Sequence, residues 1–175
     1  MRGGIRAALA GVVAAILIVL VWGSRLPREH TATVRARFRE TPEVLWKAMT
    51  DLEAAPSWRS DLERAERLPD QDGNPVWLEV GKHGSMKMVW DVMVEPHRLV
   101  TRIADDKAPF GGSWTFVLQP TSGGCTVIIT EKGEIKPALF RFIGRYVMGY
   151  DRTMKRYLLD LGKKFSDPVM PDRVE

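Results

Sequence analysis

The 175-residue chain is poor in the residues that most enzymes and metalloproteins rely on. It has one cysteine, Cys125, and three histidines. A lone cysteine excludes an intramolecular disulfide and any cysteine-built metal cluster. No His-x-x-x-His or Cys-x-x-Cys spacing occurs, so neither a structural nor a catalytic zinc site is expected. There is no Gly-x-x-x-x-Gly-Lys-Ser/Thr phosphate loop, no Gly-x-Gly-x-x-Gly fingerprint and no Gly-x-Ser-x-Gly nucleophile elbow. No cofactor is expected. Charge of one sign is also scarce. The formal net charge is +4, but Arg2, Arg6, Arg25 and Arg28 supply it. From His30 onward, 22 basic residues face 21 acidic ones. A near-neutral body is a poor footprint for nucleic acid, and no nucleic-acid partner is expected.

What the chain does have is an apolar start. Ala7 to Ser24 carries no charge, and Val12 to Trp22 is almost purely aliphatic. Eighteen helical residues span roughly 27 Å, the scale of a thin bilayer core. The reading is a single-pass N-terminal membrane anchor through residues 7–22, with a tether to residue 28 and the following domain on the extracytoplasmic side. A cleaved signal peptide is the competing reading. The expected body is one domain over residues 30–166, with residues 167–175 as a short tail.

Along that body the periodicity alternates between two and about 3.6. Ala32, Val34, Ala36 and Phe38 fall on one side of a strand, and Thr33, Arg35, Arg37 and Arg39 on the other. Thr41-Pro42-Glu43 reads as a helix start, with Thr41 as N-cap. Ala55-Pro56-Ser57-Trp58 breaks it and begins a second short helix, expected through about Leu62. Asp72-Gly73-Asn74 and Ser122-Gly123-Gly124 read as hairpin turns. Val76, Leu78 and Val80 share a phase. So do Met86, Met88, Trp90, Val92 and Val94, and so do Trp114, Phe116 and Leu118. Consecutive strands joined by tight turns make an antiparallel meander. Ile143, Val147, Tyr150, Met154, Tyr157 and Leu161 then recur at steps of four and three. They predict one amphipathic helix from Ala138 to Phe165, with Arg145, Arg152, Lys155, Arg156, Asp160, Lys163 and Lys164 on its polar side.

The fold class is therefore α+β: a curved antiparallel sheet of six to seven strands wrapped around a long C-terminal helix, with two short helices after the first strand. This order resembles the START-like superfamily (SRPBCC, helix-grip), including birch-pollen-allergen-like and polyketide cyclase/dehydrase-like proteins. The resemblance rests on Thr41 to Trp46, on Asp51 followed by Pro56-Ser57-Trp58, on Gly111 to Phe116, on Gly123 to Val127 and on Leu139 to Gly149. It covers Thr31 to Phe165. It implies a cavity between sheet and long helix, and a lipid or other hydrophobic small molecule as partner. Some members of the family catalyse cyclisation or dehydration, and fold alone does not choose between binding and catalysis.

Candidate site residues follow from strand phase. Met86, Met88, Trp90, Trp114 and Phe116 are placed on the concave side, with Val147, Tyr150 and Met154 closing the cavity from the helix. The same residues could instead fill a solid core. His30 falls in the tether, His97 in a surface turn, and His83 in a hairpin that reaches towards a cavity mouth. Glu79 and Asp91 are placed on the solvent face by alternation. Glu131 shares its phase with Val127 and Ile129 and so can point inward, where a buried carboxyl could act as an acid or base; the alternative is a strand-end residue near the rim. No catalytic residue is assigned. A membrane-tethered binding module, a cyclase/dehydrase-type enzyme and a solid partner-binding domain stay open. Two or more ionisable groups buried around a void would favour the enzyme.

Overall fold

A computed structural model describes residues 2–82, 84–105 and 107–174, and side chains from Leu9 onward. The candidate His83 lies outside the described residues. Helix α1 (Arg2–Arg25) leads into strand β1 (Glu29–Phe38), helix α2 (Pro42–Thr50) and a single 3-10 turn (Ala55–Ser57). Six strands follow: β2 (Arg64–Gln71), β3 (Asn74–Gly81), β4 (Gly84–Val94), β5 (Arg98–Ile103), β6 (Phe110–Thr121) and β7 (Gly124–Ile135). The chain closes with α3 (Ala138–Ile143), a π-helical turn (Gly144–Met148), α4 (Arg152–Lys164) and β8 (Asp172–Val174).

All eight strands form one antiparallel sheet in the order β2-β3-β4-β5-β6-β7-β1-β8. Alternation explains its buried face. Ala32, Val34, Ala36 and Phe38 of β1 lie beside Val127 and Ile129 of β7 and Phe116 and Leu118 of β6. Leu45, Trp46 and Met49 of α2 and Met154, Leu158 and Leu161 of α4 pack onto that surface. Each such side chain, fully buried, contributes about 1.5–3 kcal/mol of transfer free energy. This is the helix-grip, α+β architecture expected from the element order.

Several expectations need correction. The C-terminal helix is not one rod from Ala138 to Phe165. It breaks at Gly149, whose φ of +76° lies in the left-handed region, where a residue without Cβ is favoured. The repeat of fours and threes runs through this break, so periodicity alone hides it. Asp160 is not on a solvent face. It is 3% exposed and accepts hydrogen bonds from the Ser60 backbone N–H (2.9 Å) and hydroxyl (2.5 Å), pinning α4 to the segment after the 3-10 turn. The second short helix shrinks to the 3-10 turn. The C-terminal tail pairs with the outer edge of β1, where Arg35 Nε meets Asp172 at 3.1 Å. An open strand edge is thereby partly covered.

The membrane-anchor expectation is overturned. Among the described residues no helix is long and apolar enough to cross a membrane. Nor is the end of this segment a free tether. A Cβ on Gly23 would stand 2.1 Å from the Ala138 carbonyl oxygen, so glycine there lets α1 lie directly against α3.

Candidate functional site

The interior is not filled throughout. Strands β3 to β7 curve away from α3, the π turn and the start of α4, leaving a cavity of about 460 Å³. The strand phases explain its apolar wall: Met86, Met88 and Trp90 come from β4, Trp114 and Phe116 from β6, and Phe140, Ile143 and Met148 from the closing segment. Trp114 and Phe116 meet edge to face at 5.9 Å, and both ring systems contact Tyr157. This is the composition usual for small-molecule sites, which are mostly apolar with a few placed polar groups.

Of the residues read from the sequence, Met86, Met88, Trp90, Trp114, Phe116 and Tyr150 are in the wall. Val147 and Met154 are not. Val147 is 71% exposed, because the π turn rotates it off the inward side. Met154 is fully buried, but it packs into the solid core beyond the break. A β-bulge between Trp90 and Val92 ends the inward phase of β4, so Val94 is 52% exposed. Asp91 sits at that bulge, half-buried, with Arg102 at 2.9 Å.

Two polar clusters reach the cavity. In the first, Glu131 points inward and its Oε1 lies 3.2 Å from His30 Nε2, while Trp114 Nε1 donates to its Oε2 at 3.0 Å. His30 is no tether residue: it belongs to β1, one step further along the phase of Ala32 and Val34. Its ring stacks on Tyr150 at 4.0 Å with a 17° interplanar angle. It lies across Gly133, where a Cβ would come within 2.4 Å of the imidazole. Tyr150 directly follows the helix interruption at Gly149.

In the second, Arg59 Nη2 sits 2.8 Å from Asp61 Oδ2 and 2.9 Å from Glu79 Oε2, with its guanidinium 5.5 Å from the Tyr157 ring centre. Glu79 is not on the solvent face; it shares its phase with Trp77, which packs on the core. Burial disfavours the Arg59 cation, but Glu79 and Asp61 outweigh it and hold its pKa above the ordinary value. Burial would raise the Asp61 carboxyl, yet Arg59 holds it below the usual range. Burial pushes the Tyr157 phenol up, against the pull of Arg59. Strand phase could have found His30; it points Glu79 outward when Val76, Leu78 and Val80 are read as the inner set, and nothing local marks Arg59 and Asp61. Among the described residues no three His, Cys, Asp or Glu side chains converge to hold a metal.

An apolar cavity with two polar clusters, on a sheet that grips a helix, has relatives. Residues 29–158 match the family described as polyketide cyclase / dehydrase and lipid transport. The chain belongs to that family. Among solved structures, a START superfamily protein from Mycobacterium smegmatis is similar with a TM-score of 0.60 at 16% identity, over 80% of this chain and 98% of that one. A protein from Rhodobacter sphaeroides gives 0.57 at 19% identity, over 78% and 91%. The di-domain ARO/CYC protein StfQ of the steffimycin biosynthetic pathway gives 0.59 at 11% identity, over 79% of this chain and 51% of its own. At these identities the likeness is one of fold. No curated protein matches the sequence.

Proposed function

We propose that this member of the family binds a lipid or other hydrophobic small molecule in the cavity under α3 and the π turn. One observation carries the reading: a space of about 460 Å³ walled by methionines and aromatic rings. A folded interior normally packs without voids larger than a water molecule, so a space of this size favours a bound ligand over a solid core. Methionine suits it, because its unbranched side chain adapts to irregular shapes. Met86, Met88, Trp90, Trp114, Phe116 and Tyr150 are the proposed contacts.

The test is to fill the space. Ile103 lies in the wall on β5. The variant Ile103→Trp should lose uptake of a neutral fluorescent apolar probe while its melting temperature stays near that of the parent. In a solid core the same enlargement would overpack and cost about 1–3 kcal/mol. A sharp fall in melting temperature, with no uptake by the parent, refutes the reading.

A second reading has an observation of its own. The His30 imidazole and the Glu131 carboxyl lie in hydrogen-bond contact in the cavity wall, within the reach that proton transfer needs. An enzyme of the cyclase or dehydrase type would use it. Then Glu131→Gln would abolish turnover and leave uptake intact. A ligand recovered from the protein with its mass unchanged supports binding as the whole activity.

A further inference from the structure

The charges in the wall point to the chemistry of the ligand. We infer that the cavity takes an apolar molecule bearing a hydrogen-bond donor and no negative charge, an alcohol or an amine, and turns away anionic lipids such as fatty-acid carboxylates and phosphates. This rests on the binding reading above and narrows it.

Four carboxylates line the cavity: Asp61, Glu79, Glu131 and Glu134. Among the described residues the basic members of the wall are Arg59 and His30. Each already faces carboxylate: Arg59 faces two and His30 faces one. The Arg59 side chain is 10% exposed and already joins Asp61 and Glu79. Two carboxylates already share its single positive charge, so an incoming carboxylate would add a third negative charge to the cluster. The His30 Nε2 is engaged by Glu131, and one face of its ring is covered by Tyr150. A second anion beside these groups meets like charge in a region of low dielectric, where repulsion is stronger than in water.

A donor, by contrast, has somewhere to go. A carboxylate offers about four acceptor sites, two on each oxygen. Glu131 accepts one contact on each, from His30 and from Trp114, and its side chain is 20% exposed. Each oxygen therefore keeps capacity for a further donor arriving from the cavity. Hydrogen bonds to an ionised acceptor are short and roughly twice as strong as neutral ones. The Trp114 and Tyr150 rings beside this carboxylate offer faces that also tolerate a cation.

The experiment uses the full chain, the neutral fluorophore N-phenyl-1-naphthylamine, and four competitors sharing one alkyl chain: 1-dodecanol, dodecylamine, dodecanoate and dodecyl methyl ether, all below their micellar concentrations. The alcohol and the amine should displace the fluorophore at roughly tenfold lower concentration than the carboxylate, and the ether should fall several-fold behind the alcohol, as one lost hydrogen bond of about 1 kcal/mol requires. Glu131→Gln should narrow the preference for alcohol over carboxylate. Displacement by dodecanoate as good as by dodecanol overturns this inference alone, because uptake has then been shown. Failure of the fluorophore and of every competitor to bind overturns the binding reading and this inference with it. The parent series decides the matter even where Glu131→Gln does not fold.

Discussion

Replacing Arg59 by methionine tests whether the ion cluster beside the cavity is as tightly coupled as its geometry implies. The substitution keeps most of the side chain's length and removes its charge. Two carboxylates then lose their partner: Asp61 at 2.8 Å and Glu79 at 2.9 Å from Arg59 Nη2. They are not equivalent. Asp61 is 40% exposed and can rehydrate; Glu79 is 19% exposed and cannot do so fully. Breaking a buried pair from one side costs about 3–5 kcal/mol, and the exposure of Asp61 puts this case at the low end, roughly 3 kcal/mol at pH 7. Urea unfolding of parent and variant at pH 7 and at lower pH measures it. The pH dependence has a definite sign. The folded-state pKa of Asp61 is depressed, so the stability it contributes is full above its unfolded value near 3.9 and is lost as pH falls through the depressed folded value. The gap between parent and variant should therefore be widest near neutrality and shrink in acid. A loss below about 1 kcal/mol at pH 7, or a gap that widens in acid, would show that Arg59 is an ordinary surface pair, with a typical worth of about 0–1 kcal/mol.

Three other substitutions or treatments probe separate links. Gly149→Ala must hold a Cβ at φ +76° and 2.9 Å from Asp151 Oδ1; it should destabilise the fold by about 1–2 kcal/mol in chemical denaturation, and an unchanged midpoint would mean that the break before α4 is not set there. Gly23→Leu has no room against the Ala138 carbonyl, so it should release α1 and raise amide hydrogen exchange in α3; unchanged exchange would contradict the close packing of the two helices. Cys125 is fully buried, and burial pushes its thiol pKa up to about 11; it should resist iodoacetamide at pH 8 in the folded protein and react in urea, and alkylation at equal rates in both would refute its burial.

How much of this was legible in the sequence depended on the range of the interaction. The alternation of β1, the Pro42 helix start and the glycine hairpins are local devices, and each shows itself within a few residues. The inward phase of Met86, Met88, Trp90, Trp114 and Phe116 was local too. The bulge that ends it after Trp90 is set by the register of β4 on β5, which one strand alone does not display. The break at Gly149 preserved the spacing of fours and threes, so Val147 and Met154 looked like neighbours of Tyr150 on one stripe. Only the stacking of Tyr150 on His30, on a distant strand, reveals that the three part ways. The Arg59 cluster is tertiary in the same sense: a connecting segment supplies Arg59 and Asp61, and β3 supplies Glu79. The apolar run of α1 reads as a span from composition, whereas its end is fixed by packing on α3.

The account stands on a ligand entering the cavity, and the tryptophan side chains can report where it goes. The chain has six tryptophans. Trp90 and Trp114 line the cavity, Trp46 is buried in the solid core, and Trp22 is 57% exposed on α1. In a nitrogen-15 NMR titration with 1-dodecanol, the indole N–H signals of Trp114 and Trp90 should move and saturate together, with those of Trp22 and Trp46 staying in place. Movement of the Trp22 signal with Trp90 and Trp114 unmoved would mean that the apolar surface of α1 takes the ligand and the cavity does not.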